Sequence, residues 1–304
     1  MPQRIFDAHI HFFSHGFYRL LAGQQGGGAT ASSVCAQLGW PPPPEDPAAL
    51  AAQWAAELDR HGVAGAALIA SLSGDEASVA AAVAAFPARF AGFFFLNPLA
   101  PGAVERARSA FALGLRGMCL FPAMHGFSVA SNEARAAIEV AAAQPGAVVF
   151  VHCGVLSVGV RRRLGLSSPF DMRYSNPLDL HPVALRYPQV PFIVPHFGAG
   201  LFREALMLAS LCPNVYFDTS SSNNWTRYLT PAPALEQVFE QALEAAGPER
   251  LLFGTDSSFF PRGWVRDVFD RQCAAFDRLQ LPESARGAIL GENFARLLGF
   301  PPAA

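Results

Sequence analysis

The densest chemistry in the chain lies near its start, where Asp7-Ala8-His9-Ile10-His11 ends a run that opens at Ile5. Side chains alternate along a strand, so this spacing predicts that Asp7, His9 and His11 share one face and that two imidazoles converge. Neutral imidazole ligates zinc and similar divalent ions, and such a pair supplies half a metal site. Taken alone, the pair fits a solvated or core position equally well. Three further residues shift the balance. His152 closes Val148-Val149-Phe150-Val151, His196 closes Phe192-Ile193-Val194-Pro195, and Asp256 closes Leu251-Leu252-Phe253-Gly254-Thr255. If these runs are parallel barrel strands, their ends surround one opening, where four histidines and a carboxylate meet.

The elements that must position these groups are legible as alternation. Apolar runs rich in β-branched or aromatic residues predict strands near Ile5–His9, Ala64–Ala70, Phe90–Leu96, Leu115–Phe121, Ala147–His152, Pro191–His196, Asn214–Thr219 and Arg250–Asp256. Alanine-rich stretches between them predict helices near Pro47–His61, Asp75–Phe86, Pro101–Leu113, Asn132–Ala143, Leu201–Leu211, Ala234–Ala246 and Val265–Leu279. Eight such units predict an α/β chain whose residues 1–304 form a single (β/α)8 TIM-like barrel, with the doubly wound open sheet as the competitor. Two connections interrupt the rhythm. Gly16–Pro47 carries Gly26-Gly27-Gly28 and Pro41 to Pro44 and is expected to be irregular, while Gly154–Pro177 carries Arg161-Arg162-Arg163. They are long loops after strands 1 and 5, on the side where barrels place their sites, and are candidate lids or substrate walls. The glycine triplet has no following Lys-Ser/Thr and is no phosphate loop.

Composition removes other functions. The 304 residues are 51% hydrophobic and 15% charged, which supports a large core and excludes disorder as the overall state. All 22 basic residues are arginine, so Schiff-base chemistry, a Walker lysine and a metal-bridging carboxylated lysine are absent. A net charge of -2 argues against a nucleic-acid groove, and a nuclease reading is correspondingly weak. Val140 to Val160 has membrane length without charge, but Gln144-Pro145-Gly146 breaks it, so no membrane span is expected. Five scattered cysteines without a C-x-x-C pair fit reduced thiols, and the opening residues lack the order of a secretory leader. A cytoplasmic protein acting on a small-molecule substrate is expected, with a homodimer left open.

The ordered set FDAHIH (residues 6–11), VHCG (151–154), PHFG (195–198), FDTS (217–220), FGTDS (253–257) and GENFARLLG (291–299) resembles the amidohydrolase superfamily. The likeness is to its amidohydrolase-related branch, which includes aminocarboxymuconate semialdehyde decarboxylase, aromatic-acid decarboxylases and lactone hydrolases. It implies that His9, His11, His152 and Asp256 coordinate one divalent metal, zinc or alternatively manganese, leaving a position for water. It implies that His196 stands beside that water to polarise substrate or handle a proton, or ligates in some metal states. Binuclear relatives bridge two metals through a carboxylated lysine on strand four, and Leu115 to Phe121 contains none. One metal is therefore expected. Cys119 in that run is either a soft ligand or a small buried hydrophobe.

Asp218 in FDTS is expected to orient a ligand or to bind loop amides. Arg161, Arg162, Arg163 and Arg173 are candidates for a substrate carboxylate, against the alternative of a solvated or ion-paired loop. His125 and Trp225 are further substrate-contact candidates, and Phe12, Phe13, Tyr174, Phe259, Phe260 and Trp264 either line an apolar pocket or fill the core. Asn293 is expected to organise the last helix. The leading expectation is a mononuclear metal-dependent hydrolase of a small, carboxylated cyclic ester or amide, with Asp256 or His196 taking the proton of water. A metal-dependent decarboxylase of an aromatic or dienoic acid is the alternative, and a barrel that binds metal or ligand without turnover is the third.

Overall fold

In the computed structural model, which describes residues 4–220 and 224–301, eight parallel strands follow one another in chain order around one sheet. They are β1 (Ile5–His11), β2 (Val63–Ile69), β3 (Phe90–Leu96), β4 (Gly117–Leu120), β5 (Val148–Val151), β6 (Phe192–Val194), β7 (Val215–Asp218) and β8 (Leu251–Leu252). The last strand region closes onto the first. Ala8 N–H donates to the Phe253 carbonyl at 2.8 Å, Asp256 N–H to His9 O at 2.9 Å, and His11 N–H to Ser257 O at 2.8 Å. The chain is thus a (β/α)8 TIM barrel, as the alternation predicts.

After β1 come α1 (His15–Gln25), α2 (Ala31–Leu38) and the first outer helix, α3 (Pro47–Arg60). Then follow α4 (Glu76–Ala85), α5 (Ala103–Ala112), the single turn α6 (Pro122–His125), α7 (Asn132–Ala142) and α8 (Gly159–Arg163). The circuit ends with α9 (His181–Arg186), α10 (Phe202–Leu211), α11 (Leu235–Ala246), α12 (Arg266–Arg278), α13 (Glu283–Gly287) and α14 (Asn293–Leu298). Among the described residues no helix is long and apolar enough to cross a membrane.

Strand alternation sorts the buried side chains into two layers. In β3, Ala91, Phe93 and Phe95 join the inner cluster with Cys119, Phe150 and Ile193. Phe90, Phe94 and Leu96 join the outer cluster against the helices. A parallel strand buried on both faces needs this continuous apolar run.

Two expectations require correction. The segment from Gly16 to Pro47 is not irregular: it folds into α1 and α2. Ser14 Oγ caps the first by accepting from Phe17 N–H, and Thr30 and Ser33 form a reciprocal capping box on the second. Phe17, Leu21, Val34 and Leu38 then bury a separate small core with Leu164 from the β5 connection. Gly26 to Gly28 mark only the break between the helices. The second correction concerns β1, whose register against β2 shifts between Asp7 and Ile10. Phe6 and Ala8 face inward but so does His9, whose ring meets inner-layer Phe150 edge-on at 5.3 Å. Asp7 instead accepts from the indole of Trp264, an outer-layer residue, at 2.7 Å. It therefore does not share a face with the two histidines.

Candidate active site

His9 and His11 enter the barrel mouth from the end of β1. His9 Nδ1 lies 2.5 Å from Asp218 Oδ2 at the end of β7, and His11 Nδ1 lies 2.7 Å from Ser71 Oγ just past β2. Ser71 donates its own proton toward the Ile69 carbonyl, so its oxygen accepts from His11. Both imidazoles thus carry a proton on Nδ1 and turn Nε2 into the site. Those Nε2 atoms stand 3.3 Å apart, and Asp256 Oδ1 lies 3.5 Å from the first and 3.2 Å from the second. Three electron-pair donors face one point, an arrangement that suits a cation.

His152 and His196 stand across the opening, with ring centroids 5.5 Å apart. His196 Nδ1 donates to the Ser220 carbonyl at 2.9 Å, which leaves its Nε2 as an acceptor. One ligand atom each of His9, His196 and Asp256 lies within 4.8 Å of the others. His152 is buried and, among the described residues, its Nε2 has no hydrogen-bond partner. Buried polar atoms are rarely left unpaired, so an imidazole nitrogen of this kind beside the cluster suits a bound cation.

Electrostatics agree with that reading. Burial opposes the charged form of His9, yet the carboxylates of Asp218 and Asp256 outweigh it and raise its pKa to about 9, so the site draws a positive charge to this ring, held as a second proton on the Nε2 where a cation would take its place. Burial likewise opposes charge on Asp256, and the His9, His11 and His196 rings outweigh it and hold the carboxyl well below its usual range. Asp256 acts on His152 as well but is outweighed. Burial first, then the neighbouring His196 and His9, keeps it neutral far below the ordinary histidine range. Burial also lowers His196, which stays a neutral acceptor. Asp218 serves two partners, since Oδ1 accepts the Ser220 N–H at 2.8 Å while Oδ2 accepts from His9 Nδ1 at 2.5 Å.

Two glycines permit this convergence. A Cβ on Gly254 would lie 2.5 Å from Asp218 Oδ1. Gly154, at φ +72°, packs so closely that a Cβ would meet the Gly198 carbonyl at 2.1 Å, which ties the VHCG and PHFG turns together.

Outward from these groups opens a cavity of about 800 Å³. His125, Arg161 and Arg163 line it, as do Phe13 and Phe259. Arg162 is not among its lining residues. Arg173 also lies elsewhere: its guanidinium is 82% exposed and pairs with Asp171 at 2.6 Å. Trp225 is corrected too, being 1% exposed in the outer layer against Phe197 and Phe202. Phe12 and Trp264 fill the core, Phe260 packs on Trp54, and Tyr174 is not among the lining residues. Cys119 sits in the apolar inner cluster, where burial pushes its thiol pKa well up and keeps it protonated. Asn293 donates to the Pro248 and Leu251 carbonyls, fastening the last helix to β8 as expected.

Sequence reasoning missed Ser71, Ser220, Trp40, Arg106 and Arg262. The first two touch the histidines, and the other three line the cavity. The position of Ser71 two residues beyond Ile69 is the only signal it offers.

Solved structures of similar fold cover nearly the whole chain. A probable 2-pyrone-4,6-dicarboxylic acid hydrolase from Acinetobacter baumannii, crystallised with citric acid, is 15% identical at a TM-score of 0.63, covering 98% of this chain and 100% of the other. An amidohydrolase from Burkholderia multivorans with bound zinc is 17% identical at 0.62, over 98% and 100%. An uncharacterized TIM-barrel protein from Bordetella bronchiseptica is 20% identical at 0.66, over 98% and 99%. At these identities the likeness establishes the fold alone. Protein fluG of Emericella nidulans is 36% identical over 87 residues, 29% of this chain, and the match spans only 10% of its length. The amidohydrolase family model matches residues 6–300, and with that extent the chain belongs to the amidohydrolase family.

Proposed function

We propose that the protein is a mononuclear metal-dependent hydrolase acting on a carboxylated cyclic ester or amide. The observation that carries this reading is the donor set: Nε2 of His9 and His11 facing each other at 3.3 Å beside Asp256, with the buried Nε2 of His152 unpartnered among the described residues. His9, His11, His152 and Asp256 would hold one divalent ion, zinc or manganese. When bound, such an ion polarises a carbonyl and lowers the pKa of water toward ~7.

The protein groups supply the rest. Asp218 and Ser71 hold the Nδ1 protons of His9 and His11, so Nε2 of each is the atom that would meet the ion, which would displace the second proton of His9. His196 Nε2, neutral and aimed by the Ser220 carbonyl, accepts a proton from the attacking water and returns it to the leaving oxygen or nitrogen. Asp256 would serve as the alternative acceptor through its carboxylate.

The family assignment and a structural neighbour named as a dicarboxylic acid hydrolase support an acidic cyclic substrate. Metal analysis alongside a screen for lactone and lactam opening and for carbon dioxide release tests the reading. About one ion per chain and ring opening that stops on chelation are expected. Carbon dioxide release without ring opening would favour the decarboxylase, and an active metal-free chain would end the metal-dependent mechanism.

A further inference from the structure

The cavity is larger and more one-sidedly charged than a compact acidic ring requires. Roughly 300–1,000 Å³ is the range that holds drug-sized ligands, and this cavity lies near its upper end at about 800 Å³. Four arginines line it, Arg106, Arg161, Arg163 and Arg262, against a single acidic residue, Asp256, in a chain of net charge -2. The arginines sit outward: Arg163 and Arg262 are exposed, and the Arg106 side chain is 41% exposed. His9, His152 and His196 are buried at the inner end. Much of the remaining lining is apolar: Phe121 stacks on His152 at 5.4 Å, Phe13 lies 5.9 Å from His11, and Phe259 stacks on Trp40 beneath Arg163. Apolar rings thus adjoin both the buried histidine end and the exposed arginine end.

Three of the arginines are committed to the walls. Arg161 donates to Gln24 and to the Ser167 carbonyl, which joins the β5 connection to α1. Arg163 donates to the Leu38 carbonyl and lies 5.3 Å over the Trp40 ring, which stacks at 3.7 Å on Phe259. Arg106 lies 3.7 Å from Glu76. Arg262, six positions past Asp256, has no hydrogen bond or ion pair among the described residues.

We propose that the substrate is an extended amphipathic anion: its scissile group reaches the buried histidines, an apolar body fills the middle, and its anionic group is read at the mouth by Arg262. The inference rests on the hydrolase reading for the inner end and assigns the recognition of the outer end. A guanidinium gives an oxyanion two parallel donors and cannot lose its charge, so an unpartnered arginine at the mouth selects carboxylate over an uncharged group.

Isothermal titration calorimetry on the full chain tests it with three probes: benzoate, 6-phenylhexanoate and 6-phenylhexan-1-ol. The parent should bind 6-phenylhexanoate at least tenfold tighter than benzoate. Arg262→Gln, on an exposed loop side chain, should keep the parental Tm, weaken 6-phenylhexanoate about tenfold and change the alcohol by less than twofold. Equal affinity for the two acids would overturn the extended substrate. An unchanged acid affinity in the variant, as when the carboxylate binds at the histidines instead, would overturn the role of Arg262, and so would equal loss of acid and alcohol. A chain that discriminates as expected yet holds no metal would remove the hydrolase reading alone. One that opens lactones but ignores Arg262 would remove this inference alone.

Discussion

Asp218→Asn isolates the group that sets the state of His9. In the parent, Asp218 accepts from His9 Nδ1 at 2.5 Å with one oxygen and from Ser220 N–H at 2.8 Å with the other. Asparagine offers one carbonyl and one amino group to the same two positions. If its carbonyl faces His9, the amino group points at the Ser220 N–H and two donors oppose each other. If it turns, the amino group donates to His9 Nδ1, the imidazole proton moves to Nε2, and the lone pair aimed into the site is gone. Both atoms are buried, so water cannot repair either state. Partners of this kind typically change metal affinity by roughly 10–100-fold, or about 1.4–2.7 kcal/mol. Competition between the protein and a chromophoric chelator for zinc gives the affinity, and ¹⁵N chemical shifts of the histidine rings above pH 9, where the parent His9 has given up its second proton, give the tautomer. A variant that stays folded, binds zinc about 10–100-fold more weakly and carries an Nε2 proton on His9 is expected. Zinc affinity within threefold of the parent, or an unchanged tautomer, would refute the assignment of His9 as an Nε2 ligand.

Three other outcomes follow from the same structure. His9→Ala should lose metal first, whereas His196→Asn should lose more activity than metal; equal metal loss, measured by elemental analysis, would make His196 a ligand, which the 4.8 Å clustering of His9, His196 and Asp256 permits. Asp75, buried and accepting from Ser14 Oγ at 2.7 Å and Ser78 Oγ at 2.6 Å, has its pKa raised by burial to about 6 from 3.8. The folded state then holds this proton more tightly, so the group lowers stability as pH rises from about 4 to about 6, by about 3 kcal/mol in all. In urea unfolding at pH 4 and 7, Asp75→Asn should lose less stability than the parent over that interval, and identical losses would contradict the burial argument. Trp225→Ala should cost about 3–5 kcal/mol by opening the outer core, with KM unchanged; a raised KM at unchanged stability would return Trp225 to the substrate wall.

What could be read in advance follows from how local each signal is. A polar residue closing an apolar run is visible without knowing the neighbours, and His152, His196 and Asp256 are placed by that signal alone. The fate of Asp7 is not visible, because one shift of register between Asp7 and Ile10 sends its carboxylate to Trp264 while both histidines turn inward. The helices α1 and α2 are masked by the glycines and prolines on either side, although Ser14 and Thr30 are ordinary cap residues. Arg161, Arg162 and Arg163 are adjacent in sequence and part company in the fold, since only the first and third reach the cavity wall. Adjacency says nothing about which way a short helix is turned.

The strand ends show why boundary and chemistry are one problem. The apolar runs predict strands reaching His196 and Asp256, but β6 stops at Val194 and β8 at Leu252. His196 has φ 54° and Asp256 φ 58°, a left-handed conformation that no pleated strand contains. Such backbone costs a non-glycine residue roughly 1–3 kcal/mol and persists where its surroundings fix it. Here the Ser220 carbonyl holds His196 through Nδ1, and the His9 carbonyl holds Asp256 through its N–H. A continued strand would send alternate side chains to opposite faces of the sheet. Ending the pleat early frees these two residues from that alternation, and each brings a donor atom within 4.8 Å of one on His9, which β1 delivers by its own break in register. The strain at β6 and β8 and the irregularity in β1 thus serve one geometry, a ring of donors that regular strands of this barrel would not bring together.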